Sequence, residues 1–308
     1  MKVLVIGGTG WVGHHIALAC FRAGFSVVTM SRNPAGRFFD DVAFLPHIVG
    51  DKSNKQTMEQ VLRDGHYDVV IDSVPTPNCI AILSELRQLY DRYIQCGSTG
   101  VYTPLLTMPA DETHPIGRRV YDGFAGKIAA DQAMLEANAA GRLRGTVLRP
   151  CCIAGPGKMP LDNLGGRRDD FIADIRNGKA LDVLDGGTAL LQIVHVRDLG
   201  RAFALAVATP SSVNNAYNIC GDCALTVRRY CEVNAEALGV EAQFASMTFD
   251  AMIAKYGEDI RGGLTFLAEH MCLSNKKATA ELGWRPEYSV EAAIRETAIE
   301  ASQKLSAS

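Results

Sequence analysis

Three glycines near the amino terminus have the spacing of a phosphate-binding turn. Gly7, Gly10 and Gly13 occur in the stretch GGTGWVG, after the apolar run 3–6 and before a segment with helical spacing. Glycines in this position allow a tight turn, and they let backbone N–H groups and the helix amino end approach a pyrophosphate. The pattern therefore predicts a dinucleotide-binding site rather than a merely structural turn. The remaining predicted contacts in this turn are Thr9, Trp11 and Val12.

The end of the second predicted strand indicates which dinucleotide binds. An acidic residue about 20 positions after the glycines would hydrogen-bond the ribose 2′-hydroxyl of NAD, but Ser31 and Arg32 stand there, and no acid precedes Asp40. Ser31 and Arg32 could hold the 2′-phosphate of NADP, although Arg32 could also be a solvated loop charge. The sequence therefore predicts NADP, with NAD as the second choice. Asp51, just after the third strand, is placed to reach the adenine amine.

Strand-like runs alternate with helix-like segments along the first half of the chain. The first run holds three β-branched residues, as is typical of a strand buried on both faces of a parallel sheet. The further runs are residues 26–30, 68–71, 92–95, 145–148 and 192–196. This alternation predicts an α/β fold with a Rossmann-type, doubly wound parallel sheet.

A smaller second lobe is predicted towards the carboxyl end. Glycine, proline and charge clusters interrupt the alternation over 155–187, and residues 226–284 have mainly helical patterns. We predict a dinucleotide-binding domain over residues 1–155 and a mainly helical substrate-binding lobe over 156–308. Residues 188–222 are predicted to return to the Rossmann sheet.

Composition excludes several classes of protein. The chain has 308 residues, 47% of them apolar and 21% charged, as in ordinary globular proteins. Because 31 basic residues face 34 acidic ones, a nucleic-acid partner is not expected. No apolar run reaches 18 residues, so we expect no membrane span. The nine cysteines resemble reduced thiols, and a cytoplasmic protein is expected.

Several stretches resemble the extended or atypical short-chain dehydrogenase/reductase superfamily, specifically its NAD(P)-dependent epimerase/dehydratase group. Besides the glycine turn, they are GSTGVY (97–102), GKIAAD (126–131), LRPCCIAGPG (148–157), VHVRDL (194–199), YNICGD (217–222) and ELGWRPEYSVEAAI (281–294). The resemblance covers nearly the whole chain. It implies an oxidoreductase, epimerase or dehydratase for sugar or nucleotide-sugar substrates, and a homodimer formed through the Lys127 helix and its neighbour. Ser73, Val74 and Pro150 are further predicted cofactor contacts.

The resemblance assigns catalytic roles to Ser98 and Lys127. Ser98 stands where relatives bind the oxygen at the reacting carbon, and Thr99 is its nearest substitute. A hydroxyl donor there would stabilise the charge that develops on the oxygen. Lys127 would hold the nicotinamide ribose and lower the pKa of a neighbouring phenol.

The tyrosine that normally provides this phenol is missing. Four residues before Lys127 stands Gly123, so the usual YxxxK pair lacks its general acid or base. Tyr121 would point away from the lysine on a continuous helix, but from a loop it could turn towards Ser98. Other candidate proton donors, each of which could equally pack or cap a loop, are Tyr102, His114, Cys151 and Cys152.

A second departure from the family concerns substrate phosphates. Relatives that bind nucleotide-sugar diphosphates often carry arginine at the position of Leu191, whereas Arg261 could match the family's other substrate arginine. Unassigned positive charge is available from Lys158, Arg167 and Arg168. A nucleotide sugar therefore remains a candidate substrate, together with a smaller sugar, ketone or aldehyde.

Two remaining motifs are interpreted as structural. His195 and Asp198 match family residues that organise the junction between lobes. Cys220 and Cys223 form a CxxC, but there is no second pair with zinc spacing, and no metal site is predicted.

Two functions follow from these observations. The first is an NADP-dependent oxidoreductase that acts on a carbonyl or secondary alcohol, with the proton carried by Tyr121, Thr99 or water. The second is a protein that keeps the cofactor site but senses NADP(H) instead of catalysing, which Gly123 favours. The pairing of Ser98 with Lys127 favours the enzyme.

Overall fold

The computed structural model describes residues 1–33, 36, 38–119 and 123–307, and it has an α/β architecture. The strands are β1 (Lys2–Ile6), β2 (Ser26–Ser31), β3 (His47–Val49), β4 (Val69–Asp72), β5 (Arg92–Cys96), β6 (Gly145–Pro150), β7 (Cys152–Ala154), β8 (Leu181–Leu184), β9 (Leu190–His195), β10 (Ala216–Ile219), β11 (Ala224–Thr226) and β12 (Phe244–Met247). The helices are α1 (Trp11–Arg22), α2 (Lys55–Gly65), α3 (Pro77–Glu85), α4 (Ala125–Ala139), α5 (Phe171–Arg176), α6 (Val196–Ala208), α7 (Val227–Ala237), α8 (Phe249–Tyr256), α9 (Arg261–Ala268), α10 (Lys276–Leu282) and α11 (Val290–Ala307).

The main sheet has seven parallel strands in the order β10-β6-β5-β4-β1-β2-β3. The chain winds outward from β1 in one direction and then from β4 in the other. This order confirms the predicted Rossmann-type, doubly wound sheet. Ligands of such sheets bind at the carboxyl ends of the strands, where the direction of winding reverses between β1 and β4.

Helices cover both faces of this sheet because side chains alternate along each strand. Val3 and Val5 of β1 point into a core built with α1 and α6. Leu4 and Ile6 of the same strand point into the opposite core, which α2, α3 and α4 complete. Burial on both faces explains why β1 has an almost continuous apolar sequence.

The carboxyl-terminal part is mainly helical, as predicted, and contains two small sheets in the orders β11-β9-β7 and β12-β8. A third core joins them to α5, α7 and α11. Within the predicted return over 188–222, β10 joins the main sheet whereas β9 pairs with β7 and β11. The division at residue 155 stays a prediction. No helix in the described part of the chain has the length and apolarity to cross a bilayer.

Candidate active site

The glycine turn connects β1 to α1 by close backbone packing. Gly7 has φ +76°, and its N–H donates to the carbonyl of Met30 at 2.8 Å. A Cβ on Gly13 would lie 1.9 Å from the carbonyl oxygen of Gly7, so a side chain at this position would separate the helix from the strand. The first turn of α1 is thereby held at the carboxyl end of β1.

The amino end of α1 is suited to an anion. Its N-cap is Gly10, and no side chain accepts hydrogen bonds from its first N–H groups. The next two helices differ, since Asn54 caps α2 and Thr76 caps α3 through their side chains. Uncapped N–H groups and the helix dipole together favour a bound phosphate. The residues here therefore fit the pyrophosphate of a dinucleotide.

A cavity of about 530 Å³ opens at this turn, and we call it the glycine-turn cavity. It contains most of the residues predicted to bind the cofactor. Those are Gly7, Thr9, Gly10, Trp11, Ser31, Arg32 and Val74. Among the described residues that line it, none is acidic. Among the described lining residues, no negative charge would therefore repel a phosphate group.

The adenosine end of this cavity differs in two respects from the sequence-based expectation. Asp51 is not among the residues that line it, and its carboxylate accepts the N–H of Ser53 at 2.8 Å; its contact with the adenine amine stays a prediction. Lys52, which sequence analysis missed, does line it, and its ammonium lies 2.8 Å from both carboxylate oxygens of the buried Asp72. Only its position just after the third strand could have indicated Lys52. Ser31 donates its hydroxyl to the carbonyl of Asn33 at 2.8 Å.

A second cavity, of about 460 Å³, adjoins the first, and we call it the Ser98 cavity. Trp11 lines both cavities. The other predicted residues that line the Ser98 cavity are Val12, Ser73, Ser98, Thr99, Lys127 and Pro150. The structure thus brings the predicted catalytic residues, apart from Tyr121, beside the predicted cofactor turn.

Ser98 and Thr99 follow β5 and have different surroundings. Ser98 is partly exposed, and its Oγ accepts the N–H of Gly100 at 3.2 Å, so its own proton stays free to donate. Thr99 is fully buried and donates its hydroxyl to the carbonyl of Pro150 at 3.3 Å. Ser98 is therefore better placed than Thr99 to contact a substrate oxygen.

Lys127 lies in the first turn of α4, and its exposed side chain lines the Ser98 cavity. Gly123 precedes this helix and lines the same cavity. A Cβ built on Gly123 would meet no atom of the described residues within 4 Å, so nothing in the described structure blocks the first side-chain atom at the position of the family tyrosine. Tyr121 lies outside the described residues.

The other candidate proton donors form hydrogen bonds within the protein or have a raised pKa. Burial raises the pKa of Tyr102 to about 12, and its hydroxyl donates to Asn218 at 2.9 Å. His114 accepts the N–H of Leu106 at 2.8 Å. Cys151 and Cys152 line the Ser98 cavity, but burial raises the pKa of both thiols. A neutral thiol with a raised pKa is a poor proton donor at neutral pH.

Lys158 and Arg167 supply further positive charge in the Ser98 cavity. Both lie over the ring of Trp11, with Lys158 Nζ at 5.3 Å and the Arg167 guanidinium carbon at 5.7 Å from its centroid. Arg168 points elsewhere and pairs with Asp162 and Asp170. Of the three unassigned cations in this stretch, two therefore reach the site.

The two arginine positions of nucleotide-sugar binding are altered here. Leu191 is buried in the third core, so no cation is present at that position. Arg261 lies outside the Ser98 cavity and pairs with the exposed Glu258. Neither position provides a charge for a substrate diphosphate in this arrangement.

His195 and Asp198 connect β9 and α6 to the carboxyl-terminal segment. His195 lies 2.8 Å from the carboxylate of Glu296 and stacks on Tyr288. Asp198 accepts the backbone N–H groups of Glu287 and Tyr288. These contacts fix the junction between the main sheet and α11.

Known proteins share both the motifs and the fold. The model of the NAD dependent epimerase/dehydratase family matches residues 3–81 and 79–220. UDP-glucose 4-epimerase of Azospirillum brasilense is 28% identical over 242 residues, which cover 67% of this chain and 68% of that protein. The chloroplast stem-loop binding protein of 41 kDa b from Arabidopsis thaliana is 24% identical over 304 residues, covering 93% and 75%.

A solved structure supports the fold assignment. dTDP-glucose 4,6-dehydratase from Bacillus anthracis, in complex with NAD, has a TM-score of 0.78 and 18% identity to this chain, with coverage of 99% of this chain and 98% of that chain. At this identity the likeness shows the fold alone. The family match extends over more than half of the sequence and confirms the resemblance seen in the motifs: the chain belongs to the NAD dependent epimerase/dehydratase family of enzymes.

Proposed function

We propose that the protein is an NADP-dependent oxidoreductase of the epimerase/dehydratase type that acts on a carbonyl or secondary alcohol of a sugar or nucleotide sugar. One observation carries the proposal: Ser98 and Lys127 line a single cavity that meets the glycine-turn cavity at Trp11. When bound, the nicotinamide supplies or accepts the hydride. The reaction is then a reduction, an oxidation, or a paired oxidation and reduction that epimerises or dehydrates the substrate.

The preference for NADP rests on charge. Arg32 lines the glycine-turn cavity, and no described residue that lines this cavity is acidic. An aspartate at the end of β2 would repel a 2′-phosphate, whereas a guanidinium attracts it and can bind it with two hydrogen bonds. Lys52 adds positive charge to the same cavity, although Asp72 neutralises most of it.

Ser98 and Lys127 have separate roles. Ser98 donates its hydroxyl proton to the substrate oxygen. The hydrogen bond that Oγ accepts from Gly100 uses a lone pair of the oxygen and leaves this proton available. Lys127 holds the nicotinamide ribose and places a positive charge beside the reacting oxygen. The proton comes from Tyr121, from Thr99 or from water beside Gly123.

Turnover with NADPH tests this function. The assay follows NADPH oxidation and deuterium exchange at carbon with UDP-glucose, dTDP-glucose, free sugars and small aldehydes. We expect turnover with at least one substrate, and Ser98→Ala should lower kcat by about 10²–10³, as loss of an oxyanion donor does. The matched control is Ser211→Ala, at an exposed serine outside both cavities. Absence of reaction with every substrate, or an unchanged rate in Ser98→Ala, would contradict the proposal.

A second candidate is a binding protein controlled by NADP(H). The empty position at Gly123 favours it, and one relative has a name that describes stem-loop binding. Such a protein would bind NADPH as tightly as an enzyme but would show neither oxidation nor exchange. The turnover assay therefore separates the two functions.

A homodimer through α4 is the proposed assembly. Leu135 on this helix is 37% exposed, and α4 packs against α3 on the same face of the sheet. Size-exclusion chromatography with light scattering should give twice the chain mass, and Leu135→Glu should shift it towards the monomer.

A further inference from the structure

The Ser98 cavity carries a positive charge that nothing on its walls neutralises. Lys127, Lys158 and Arg167 line it, and none of its described lining residues is an aspartate or glutamate. Trp11 is the wall that two of these cations share, at 5.3 Å and 5.7 Å from the ring centroid. An aromatic face attracts a cation only weakly, and it leaves N–H groups free for a stronger partner.

Arg167 is held in place by neutral groups. Its guanidinium donates to the carbonyls of Ile153, at 3.0 Å, and Met159. No carboxylate in the described part of the chain forms an ion pair with Arg167 or Lys158, whereas Arg168 pairs with Asp162 and Asp170, and Arg261 pairs with Glu258. Lys158 and Arg167 are thus placed in the cavity without a carboxylate partner among the described residues.

Neighbouring charges also act on Lys158. Partial burial, together with repulsion from Arg167 and Lys127, lowers the pKa of its ammonium. Cations that repel one another in a partly desolvated cavity are stabilised when an anion enters. A negatively charged ligand would therefore offset the repulsion among these cations.

One wall of the cavity is formed by closely packed backbone. Gly165 and Gly263 pack backbone to backbone there, since a Cβ on Gly263 would lie 2.6 Å from the carbonyl of Leu164. The nicotinamide half of a dinucleotide would share the same space of about 460 Å³. The anion and the nicotinamide would therefore lie close together in this cavity.

We propose that the substrate carries a carboxylate or phosphate group bound by Lys158 and Arg167, close to the carbon that reacts at Ser98. The substrate class is a sugar acid or a sugar phosphate. This inference rests on the proposed function, because it assigns the anion to the same cavity. Charge-assisted hydrogen bonds from two cations would then orient the substrate.

Calorimetric binding to the NADPH complex tests the inference without requiring turnover. The probes are D-gluconate for a carboxylate, D-glucose 6-phosphate for a phosphate, and neutral D-glucose, all at low ionic strength. We expect at least one anionic probe to bind at least about tenfold more tightly than glucose. Lys158→Met and Arg167→Met should each weaken that probe about tenfold or more. Tighter binding of gluconate would identify the acid group as a carboxylate, and tighter binding of glucose 6-phosphate would identify it as a phosphate.

Matched variants separate this effect from a general loss of charge. Lys179→Met and Arg63→Met remove the same charges at exposed sites outside the cavity, and both should leave anion binding unchanged. NADPH affinity, measured in the same titrations, should stay within about twofold in all four variants. Equal binding of glucose and both anions overturns the inference, and so does a parallel loss of NADPH affinity in Lys158→Met and Arg167→Met. Retained NADPH affinity without anion binding would leave the proposed function standing.

Discussion

Arg149 and Asp131 form a buried ion pair with two hydrogen bonds, at 2.8 Å and 2.7 Å, between β6 and α4. Arg149 also donates to the hydroxyl of Tyr102 at 2.6 Å. Asp131 lies four residues after Lys127, so the pair fixes the helix turn next to the lysine. The position of Lys127 therefore depends on a charge pair that sequence motifs did not reveal.

Removing this charge should destabilise the fold strongly. Asp131→Asn leaves Arg149 buried without its counterion, and we expect the free energy of unfolding to fall by about 3–5 kcal/mol. Urea unfolding measures it. The control is Glu136→Gln on the exposed face of the same helix, which should change stability by less than about 0.5 kcal/mol. A fall below about 1 kcal/mol in Asp131→Asn would show that the pair contributes little.

Cofactor choice should depend on Arg32. We expect Arg32→Glu to weaken NADPH binding at least about tenfold while NADH changes little, since only NADPH carries the 2′-phosphate. Fluorescence titration with both cofactors measures this. Arg22→Glu makes the same charge change in the last turn of α1, far from the glycine turn, and should affect neither cofactor. Equal losses of affinity for NADPH and NADH would contradict the assignment of the 2′-phosphate to Arg32.

The empty position before α4 should accept the tyrosine that relatives carry. The first side-chain atom of Gly123→Tyr has room, because a Cβ there meets no atom of the described residues within 4 Å. A phenol next to Lys127 adds a general acid, and we expect kcat to rise by about 10²–10⁴. Gly123→Phe supplies the same ring without the hydroxyl and should give no gain. Similar rates in both variants would mean that proton transfer does not limit turnover.

Anion binding should depend on pH through Lys158. Its folded-state pKa lies below the usual value, because burial and the charges of Arg167 and Lys127 disfavour the ammonium. Gluconate affinity should therefore be fully present well below this pKa and should be lost as pH rises through it. In Lys158→Met this alkaline loss should disappear, and in Arg167→Met it should move to higher pH. A calorimetric pH series that is flat in the wild type would contradict this.

Local patterns predicted the fold and the glycine turn correctly because short segments of the sequence determine both. The β-branched run of β1 and the glycines after it encode a buried strand and a tight turn without help from distant residues. The placement of Ser98 and Lys127 in one cavity needed more, since it depends on family motifs 29 residues apart.

Contacts between distant segments could not be predicted in this way. The carboxylate of Asp51 accepts a hydrogen bond from a neighbouring N–H. The ammonium of Lys52 instead binds the carboxylate of Asp72, which lies 20 residues later. Lys158 and Arg167 were visible as charges, but only the fold places them over Trp11, nearly 150 residues earlier. Side-chain direction and tertiary packing decide such contacts.

The most direct measurement of the central claim is a crystal structure of the protein with NADPH. We expect an ordered nicotinamide ring in the Ser98 cavity, within hydrogen-bond reach of Lys127 through its ribose and with Ser98 beside its reactive face. A ring that is disordered, or that lies outside this cavity while the adenosine half is ordered, would contradict catalysis by Ser98 and Lys127.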